Sequence, residues 1–389
     1  MKTLNVAVIG VGNMGSAHVT CIGDGKINGM RLYAVCDLKQ DILDSVKERY
    51  NCVTYKDWHD VVNDGSIDAV IIAVPHPLHA DMAIALMENN KHVLCEKPID
   101  IRVSKALKLN SVADRCNVSF AVMFNQRTNN IFAKAREIVK SGELGKLKRS
   151  VWIITNWYRT QAYYDSGSWR ATWAGEGGGV LLNQAPHNLD LWQWICGMPE
   201  SITAYCDVAK YHNIEVEDDV TILARYKNGA TGAFITSTGE LPGTNRLEIS
   251  GECGKLVAEN GKLRFWKLPE SEREICFKNQ DIFPKIETEY QEFEAVKIPA
   301  HATVLQNFAD NILTGTPLIA PGTEAINQLM LSNAAYLSAW KNCEIKLPFD
   351  EKEYDKYLDA LIEKSTVRSD GAKKSEFSEG YSNRWQVKW

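Results

Sequence analysis

No two of the ten cysteines stand in a C-x-x-C pair, and nowhere do they cluster. That excludes a zinc site of the usual spacing and a disulfide framework. In a chain of 389 residues they read as reduced, mostly buried small hydrophobes of a cytoplasmic protein. Metal ligation is not expected. No apolar run approaches the roughly 18 residues that span a bilayer, so no membrane partner is expected. A surplus of positive charge is missing too. With 44 Lys and Arg against 49 Asp and Glu, the net charge of -5 lacks the basic footprint of a nucleic-acid binder. The apolar stretch near the N-terminus, Val6-Ala7-Val8-Ile9, is short and runs into glycines without a small-residue cleavage site. It reads as a first β-strand, not as a secretory signal. No internal repeat is present.

What is present is an ordinary globular balance, 45% apolar and 24% charged, in a chain longer than one hydrophobic core usually serves. Two domains are expected. Continuous apolar runs at 6–9, 32–36 and 69–74, with shorter ones at 92–95 and 119–123, suit strands covered on both faces. Helices over 14–22, 41–50, 78–89 and 104–116 separate them. Alternation of this kind predicts right-handed βαβ units, a Rossmann-type doubly wound parallel sheet over residues 1–125. Past Arg127 the pattern changes. A helix over 130–140 ends at Gly142, a strand over 147–157 follows, and a loop rich in aromatics and glycine leads to a helix over 184–196. Between 201 and 277 short strands are punctuated by Asn228-Gly229, Gly251-Glu252 and Asn260-Gly261, which read as hairpin turns. Helices over 303–313, 323–340 and 351–364 close the segment. Residues 126–365 are thus expected to form one α+β domain on a mainly antiparallel open sheet. A polar tail, 366–389, ends in Tyr381, Trp385 and Trp389, aromatics that suit docking onto the body or a neighbouring subunit.

Gly10-Val11-Gly12-Asn13-Met14-Gly15 is G-x-G-x-x-G set between a strand and a helix, the context the motif requires. Gly10 allows a tight turn, Gly12 lets the backbone approach a pyrophosphate at the helix N-terminus, and Gly15 allows close helix–strand packing. Gly10, Gly12, Asn13 and Met14 are therefore expected at a dinucleotide. Asp37 ends the second strand about 20 residues further on, where a carboxylate binds ribose hydroxyls and repels a 2′-phosphate. NAD is favoured over NADP, although Lys39 stands close by. The competing reading is a glycine turn without a ligand. Ala73 and Pro75 close the third strand on the same carboxyl edge and suit contact with the cofactor's middle. His79, in the next helix's first turn, is expected either at the cofactor or as a solvated or capping histidine.

Cys95-Glu96-Lys97-Pro98 ends the fourth strand. Lys97 suits a crevice beside a nicotinamide, where desolvation fits a lysine for proton transfer or for polarising a hydroxyl. A surface Glu–Lys pair is the alternative. Six of the eleven tryptophans lie between Trp152 and Trp194. Trp157-Tyr158-Arg159, Tyr163-Tyr164-Asp165 and Trp169-Arg170 fall on one loop. Such a set suits stacking on a sugar's C–H face, with Trp157, Arg159 and Tyr163 at the substrate; packing against the sheet or a subunit is the alternative. Trp192 and Trp194 are two apart on a helix, so at least one belongs to the core.

The glycine motif, Asp37 and Glu96-Lys97-Pro98 together resemble the glucose–fructose oxidoreductase / inositol dehydrogenase / rhizopine-catabolism (Gfo/Idh/MocA) family. So does Gly177-Gly178-Gly179-Val180-Leu181-Leu182-Asn183-Gln184-Ala185-Pro186-His187-Asn188-Leu189-Asp190, which is similar to the family's Gly-Gly-…-Asp-x-x-x-His stretch. The likeness runs to about residue 350. It implies that Lys97 and His187 form a catalytic pair drawn from separate domains and converging on the nicotinamide's reactive carbon. His187 is the general base and Lys97 steadies developing alkoxide charge. Asn183, one helical turn before His187, replaces the family's Asp. An amide carries neither proton nor charge, which leaves it a substrate hydrogen-bonder. The resemblance further implies Glu96, Trp169 and Arg170 at the cofactor, and Asn125-Gln126-Arg127, similar to the family's Asn-x-Arg, with Asn125 at the cofactor and Arg127 at the substrate; a polar cluster at a helix start is the alternative. It implies a homo-oligomer, dimer or tetramer, joined through the open face of the second sheet. The expected activity is NAD-dependent oxidation of a secondary hydroxyl, C3 by preference, on a sugar, glycoside or cyclitol. Two alternatives stand beside it. One is a glycosidase that oxidises C3 transiently and eliminates; the other is a nucleotide-sensing regulator.

Overall fold

The computed structural model describes residues 2–366, so Tyr381, Trp385 and Trp389 lie outside the described residues. In chain order the first elements are β1 (Leu4–Ile9), α1 (Asn13–Gly23), β2 (Met30–Cys36), α2 (Gln40–Tyr50), β3 (Val53–Tyr55), α3 (Trp58–Asn63), β4 (Ala69–Ile72), α4 (His79–Glu88), β5 (His92–Cys95), α5 (Val103–Ala113) and β6 (Phe120–Val122). Then come α6 (Asn130–Lys140), β7 (Leu147–Ile154), α7 (Gln161–Tyr164), α8 (Pro186–Cys196), β8 (Ser201–Val208), β9 (Glu217–Arg225), β10 (Thr231–Ser237), β11 (Asn245–Gly251), β12 (Gly254–Glu259) and β13 (Lys262–Lys267). The series ends with α9 (Glu272–Lys278), β14 (Glu289–Glu294), α10 (Ala300–Thr314), α11 (Ala325–Lys341), β15 (Ile345–Lys346) and α12 (Glu351–Ile362). Among the described residues no helix is long and apolar enough to cross a membrane.

The chain divides into two compact units, Met1–Thr128 with Ile298–Leu329, and Asn129–Lys297 with Met330–Trp389. The first holds a six-stranded sheet in the order β3-β2-β1-β4-β5-β6, parallel at every pairing. Continuous apolar strands produce it: β4 is buried at all four positions, as a strand covered on both faces must be. The short β3 and α3 carry too little periodicity to be read from sequence.

One expectation about the division fails. Residues 126–365 do not form a single body, because Ile298–Leu329 belongs to the first unit. The reason is packing. Helix α10 places Val304, Leu305, Phe308 and Ala309 in one core cluster with Leu4, Val6, Val8, Val19 and Ile22. Each large buried side chain there contributes roughly 1.5–3 kcal/mol. Pro321 also bridges to Ala121 beside β6. Sequence distance hides both contacts.

The second unit is built on a nine-stranded sheet, β14-β13-β12-β11-β7-β10-β9-β8-β15. All neighbours are antiparallel except β7 with β10. The three turn signals do form the hairpin links β9–β10, β11–β12 and β12–β13. At Asn260 and Gly261 φ is +53° and +74°, which matches the mirror-image turn that an Asn-Gly pair favours. Alternation gives the sheet two unlike faces. In β9, Val220, Ile222 and Ala224 are buried, whereas Leu223 and Arg225 point to the exposed side. Trp152 at the centre is fully buried between Phe132 and Phe234, with ring centroids 5.4 and 6.3 Å away.

Asp100 closes the link from β5 to α5. It is wholly buried; Oδ1 accepts from Ile101 N at 2.7 Å and Arg102 N at 3.0 Å, and Oδ2 has no hydrogen-bond partner among the described residues. Burial pushes its carboxyl up to about 7, against the opposing pull of Lys105 and the two backbone donors. The ordinary value is 3.8. This group's contribution to stability is therefore complete below about pH 4 and is lost as pH rises to about 7. Asp100→Asn, which does not ionise, should gain on the parent across that window by at most about 4 kcal/mol. Thermal melts of both proteins at several pH values check this. A difference that stays flat from pH 4 to 7 contradicts the assignment.

Candidate active site

β1 runs directly into Gly10, whose φ is +84°; a Cβ there would lie 2.5 Å from the carbonyl oxygen of Ala73, just beyond β4. At Gly15 a Cβ would meet Gly10 O at 1.8 Å. Strand, turn and helix are thus packed backbone to backbone. Gly12 is different. It is the exposed N-cap of α1, makes no side-chain cap, and a Cβ there would find nothing within 4 Å. The first-turn N–H groups of α1 face this open space, as a pyrophosphate requires. Asn13 is exposed and Met14 half-buried beside it. Asp37 Oδ2 accepts Val11 N at 2.8 Å and Oδ1 accepts Lys39 N at 2.9 Å, which sets the carboxylate against the turn. Ala73 is half-buried and Pro75 exposed on the neighbouring strand end. These residues fit a dinucleotide: a side-chain-free cradle, a helix N-terminus and an acid at the ribose position.

At the end of β5 the side chains split in direction. Within 93–100, Lys97 is the one residue that is not buried. Glu96 turns inward, with Oε1 2.8 Å from Nε2 of the buried His18 on α1. Burial alone would raise the Glu96 carboxyl, but the hydrogen bond and charge of His18, aided by His301 and Lys97, bring it down to about 2. His301 on α10 lies 6.3 Å from the His18 ring, and Asn125 Nδ2 is 3.3 Å from His301 Nδ1. Glu96 and Asn125, expected at the cofactor, both belong to this buried polar cluster. Nothing in the sequence marks His18 or His301 as their partners.

His79 also departs from expectation. It is fully buried, neither solvated nor a cap, with Nδ1 2.6 Å from Pro98 O and Nε2 2.8 Å from Val74 O. Burial lowers its pKa, against the opposing pull of the Pro98 and Val74 carbonyls. It ties the end of β4 to the end of β5. Arg127 is 3% exposed; its Nη1 donates to Glu324 Oε2 at 2.5 Å, and its guanidinium lies over Phe124. Arg127, expected at the substrate, is held there in an ion pair with Glu324.

In the second unit, the glycine run is held from behind. Glu217 is fully buried, accepting Gly179 N at 2.9 Å, Leu181 N at 3.0 Å and the Tyr336 hydroxyl at 2.7 Å, while its backbone oxygen accepts Val180 N at 3.1 Å. A Cβ on Gly179 would meet that same oxygen at 1.9 Å, and one on Gly178 would meet Tyr336 Oη at 2.1 Å. Glycine is therefore required by close approach. Burial pushes the Glu217 carboxyl up to about 7, although Leu181, Tyr336 and Gly179 all donate to it. The acidic stretch Glu215-Val216-Glu217-Asp218-Asp219 resembles a solvated charge run, yet Glu217 and Asp218 are 0% exposed. Only tertiary partners reveal their role.

The turn over 179–185 carries the predicted residues. Helix α8 begins at Pro186, whose missing N–H and fixed φ suit a first helical position. Asn183 therefore precedes the helix rather than lying one helical turn from His187, and its N–H bonds back to Gly179 O at 2.9 Å. Within 176–193, Asn183 is the one residue that is not buried, and His187 is 7% exposed. Asn183 Nδ2 donates to Glu176, a residue that no motif singled out apart from its place before the glycine run.

The aromatic loop divides the same way. Trp157, expected at the substrate, is 6% exposed and donates to Asn188 Oδ1 at 3.2 Å. Trp192 is core, bonded to Ser150 Oγ at 3.0 Å. Tyr163 and Trp169 stay half-exposed. Arg159 and Arg170 lie over the Tyr163 ring at 5.0 and 4.7 Å, and Arg170 also covers Trp169 at 4.7 Å. His212 anchors the loop, with Nε2 2.8 Å from Arg159 O and Nδ1 2.8 Å from Asp218.

Comparison with known proteins gives the family. Residues 4–124 match the family model of the oxidoreductase family with an NAD-binding Rossmann fold, and residues 132–257 match the GFO/IDH/MocA C-terminal domain; together they span more than half of the chain. The chain is 26% identical over 350 residues to a myo-inositol 2-dehydrogenase of Thermotoga maritima, covering 88% of this chain and 98% of that protein. It is 25% identical over 291 residues to a levoglucosan dehydrogenase of Pseudarthrobacter phenanthrenivorans, covering 66% and 74% respectively. Among solved structures, the WlbA dehydrogenase of Chromobacterium violaceum, in complex with NADH and UDP-GlcNAcA, superimposes with a TM-score of 0.77. That match has 25% identity and covers 90% of this chain and 97% of that one. An NAD-type glycine cradle in the first unit and a glycine turn bearing Asn183 and His187 in the second are thus joined in one chain, which belongs to the Gfo/Idh/MocA family of NAD-binding oxidoreductases.

Proposed function

We propose that this protein is an NAD-dependent dehydrogenase that oxidises a secondary hydroxyl of a sugar, glycoside or cyclitol. The observation that carries the reading is Lys97. It is the one side chain left accessible at a strand end whose neighbours are all buried, on the same carboxyl edge as Gly12 and Asp37. Polyol-oxidising relatives of nearly the same length support the substrate class: the myo-inositol 2-dehydrogenase is covered over 98% of its chain. When bound, NAD supplies the hydride acceptor. The Lys97 ammonium donates a hydrogen bond to the reacting hydroxyl oxygen and steadies its charge as the C–H bond breaks. The His187 imidazole takes the hydroxyl proton, so that a carbonyl and a protonated base result. Asp37 receives the ribose hydroxyls and repels a 2′-phosphate. Asn183, Tyr163 and Arg159 meet the sugar. Homo-oligomerisation is assigned to the exposed sheet face, where Tyr205 and Leu223 are 61% and 50% exposed.

The finer form of the proposal is oxidation at C3 of a glycoside. A panel of inositols, free sugars and aryl glycosides, followed at the NADH absorbance, tests both levels. Net NADH accumulation marks the dehydrogenase; aglycone release without NADH marks a glycosidase that uses NAD transiently. Reduction of NAD by none of the panel overturns the substrate class. Lys97→Ala and His187→Ala should each lower turnover by about 100-fold or more while NADH binding, read by fluorescence, stays within a few-fold. More than a tenth of parental turnover surviving in both removes the pair from the mechanism. Asp37→Ala should weaken NAD binding and narrow the preference over NADP. An unchanged ratio of the two affinities counts against the ribose role.

A further inference from the structure

Glu176 is 1% exposed, yet no motif assigns it a role. Its Oε1 accepts Asn183 Nδ2, its Oε2 accepts Ala171 N at 2.6 Å, and Arg170 Nη1 lies 3.8 Å from Oε1. Ala171 stands at φ +53°, a conformation that L residues adopt only when their surroundings hold them there. Arg170 Nη1 donates to Tyr163 Oη at 3.0 Å, and Gln184 Nε2 reaches the same oxygen at 3.4 Å. Asn183 and Gln184 are adjacent. The contacts therefore close a ring: Asn183 to Glu176, Glu176 to Arg170, Arg170 to Tyr163, Tyr163 to Gln184. The carboxylate is its one negative member, and it is too deeply buried to meet a ligand itself. Because a carboxylate only accepts, it fixes which end of the Asn183 amide faces inward: the nitrogen.

We propose that Glu176 is a positioning residue for substrate recognition, orienting the Asn183 amide and locking the Tyr163–Arg170 loop to the glycine turn. This rests on the reading that Asn183 meets the sugar. A charge exchange across the pair tests it. Glu176→Gln should raise the KM for the polyol about tenfold and move kcat far less, with NADH affinity unchanged, because a hydrogen bond to a charged group is lost away from the cofactor cradle. Asn183→Asp sets two carboxylates in contact and should raise KM at least as much. The double variant Glu176→Gln/Asn183→Asp restores one carboxylate and one amide across the contact, and should recover KM at least tenfold relative to Asn183→Asp alone.

Thermal melts of the four proteins read the same coupling without substrate. If melts show the rescue but KM does not, with the parent active on a polyol, Glu176 is structural only and the proposal is overturned while the functional reading stands. Additive effects in both readouts overturn it as well. If the parent reduces NAD with no polyol, the functional reading fails first and the proposal falls with it.

Discussion

Buried backbone polar groups need partners, and the places where strands and helices stop are where this chain must supply them. Regular structure satisfies its own N–H and C=O groups; the irregular turns around Lys97 and Asn183 do not. In each unit a buried side chain from elsewhere in the chain takes over. His79 lies between Val74 O and Pro98 O, joining the ends of β4 and β5 around Lys97. Glu217 gathers two N–H groups of the glycine turn, while its own backbone oxygen takes a third. Without such partners, turns this tightly buried would leave groups unsatisfied at roughly 1–3 kcal/mol each.

That constraint explains a recurrent split between neighbours. Glu96 faces inward to His18 and leaves the adjacent Lys97 accessible. Glu176 is buried against Asn183, which is accessible. Trp157 is core and Tyr163 is half-exposed on one loop. In each case an accessible residue stands near a buried one in the chain. The split separates two kinds of polar residue that look alike in a sequence, those left accessible and those buried behind them.

The motifs that were legible are those whose physical cause is local. G-x-G-x-x-G works through backbone conformation within six residues, and Asp37 bonds back to the turn as the spacing implies. The hairpins at Asn228, Gly251 and Asn260 follow from turn chemistry alone. For Glu96, Asn125, His79 and Arg127 the sequence does not show the hydrogen-bond partners: His18, His301, two backbone carbonyls and Glu324 come from other elements. Glu217 and Asp218 were hidden for a similar reason, since an acidic run looks the same whether solvated or fully buried.

The sequence by itself determined the parallel sheet, the dinucleotide cradle and the antiparallel character of the second sheet. Periodicity, glycine spacing and turn residues act over a few positions, so a linear reading captures them. Tertiary structure decided which polar residues point out and which support them. It also decided that α10, nearly 180 residues beyond β6 in the chain, packs into the first unit's core. The physical reason is that burial is a property of the assembled core: a carboxylate, an imidazole or an apolar helix face acquires its role from neighbours that sequence order does not name.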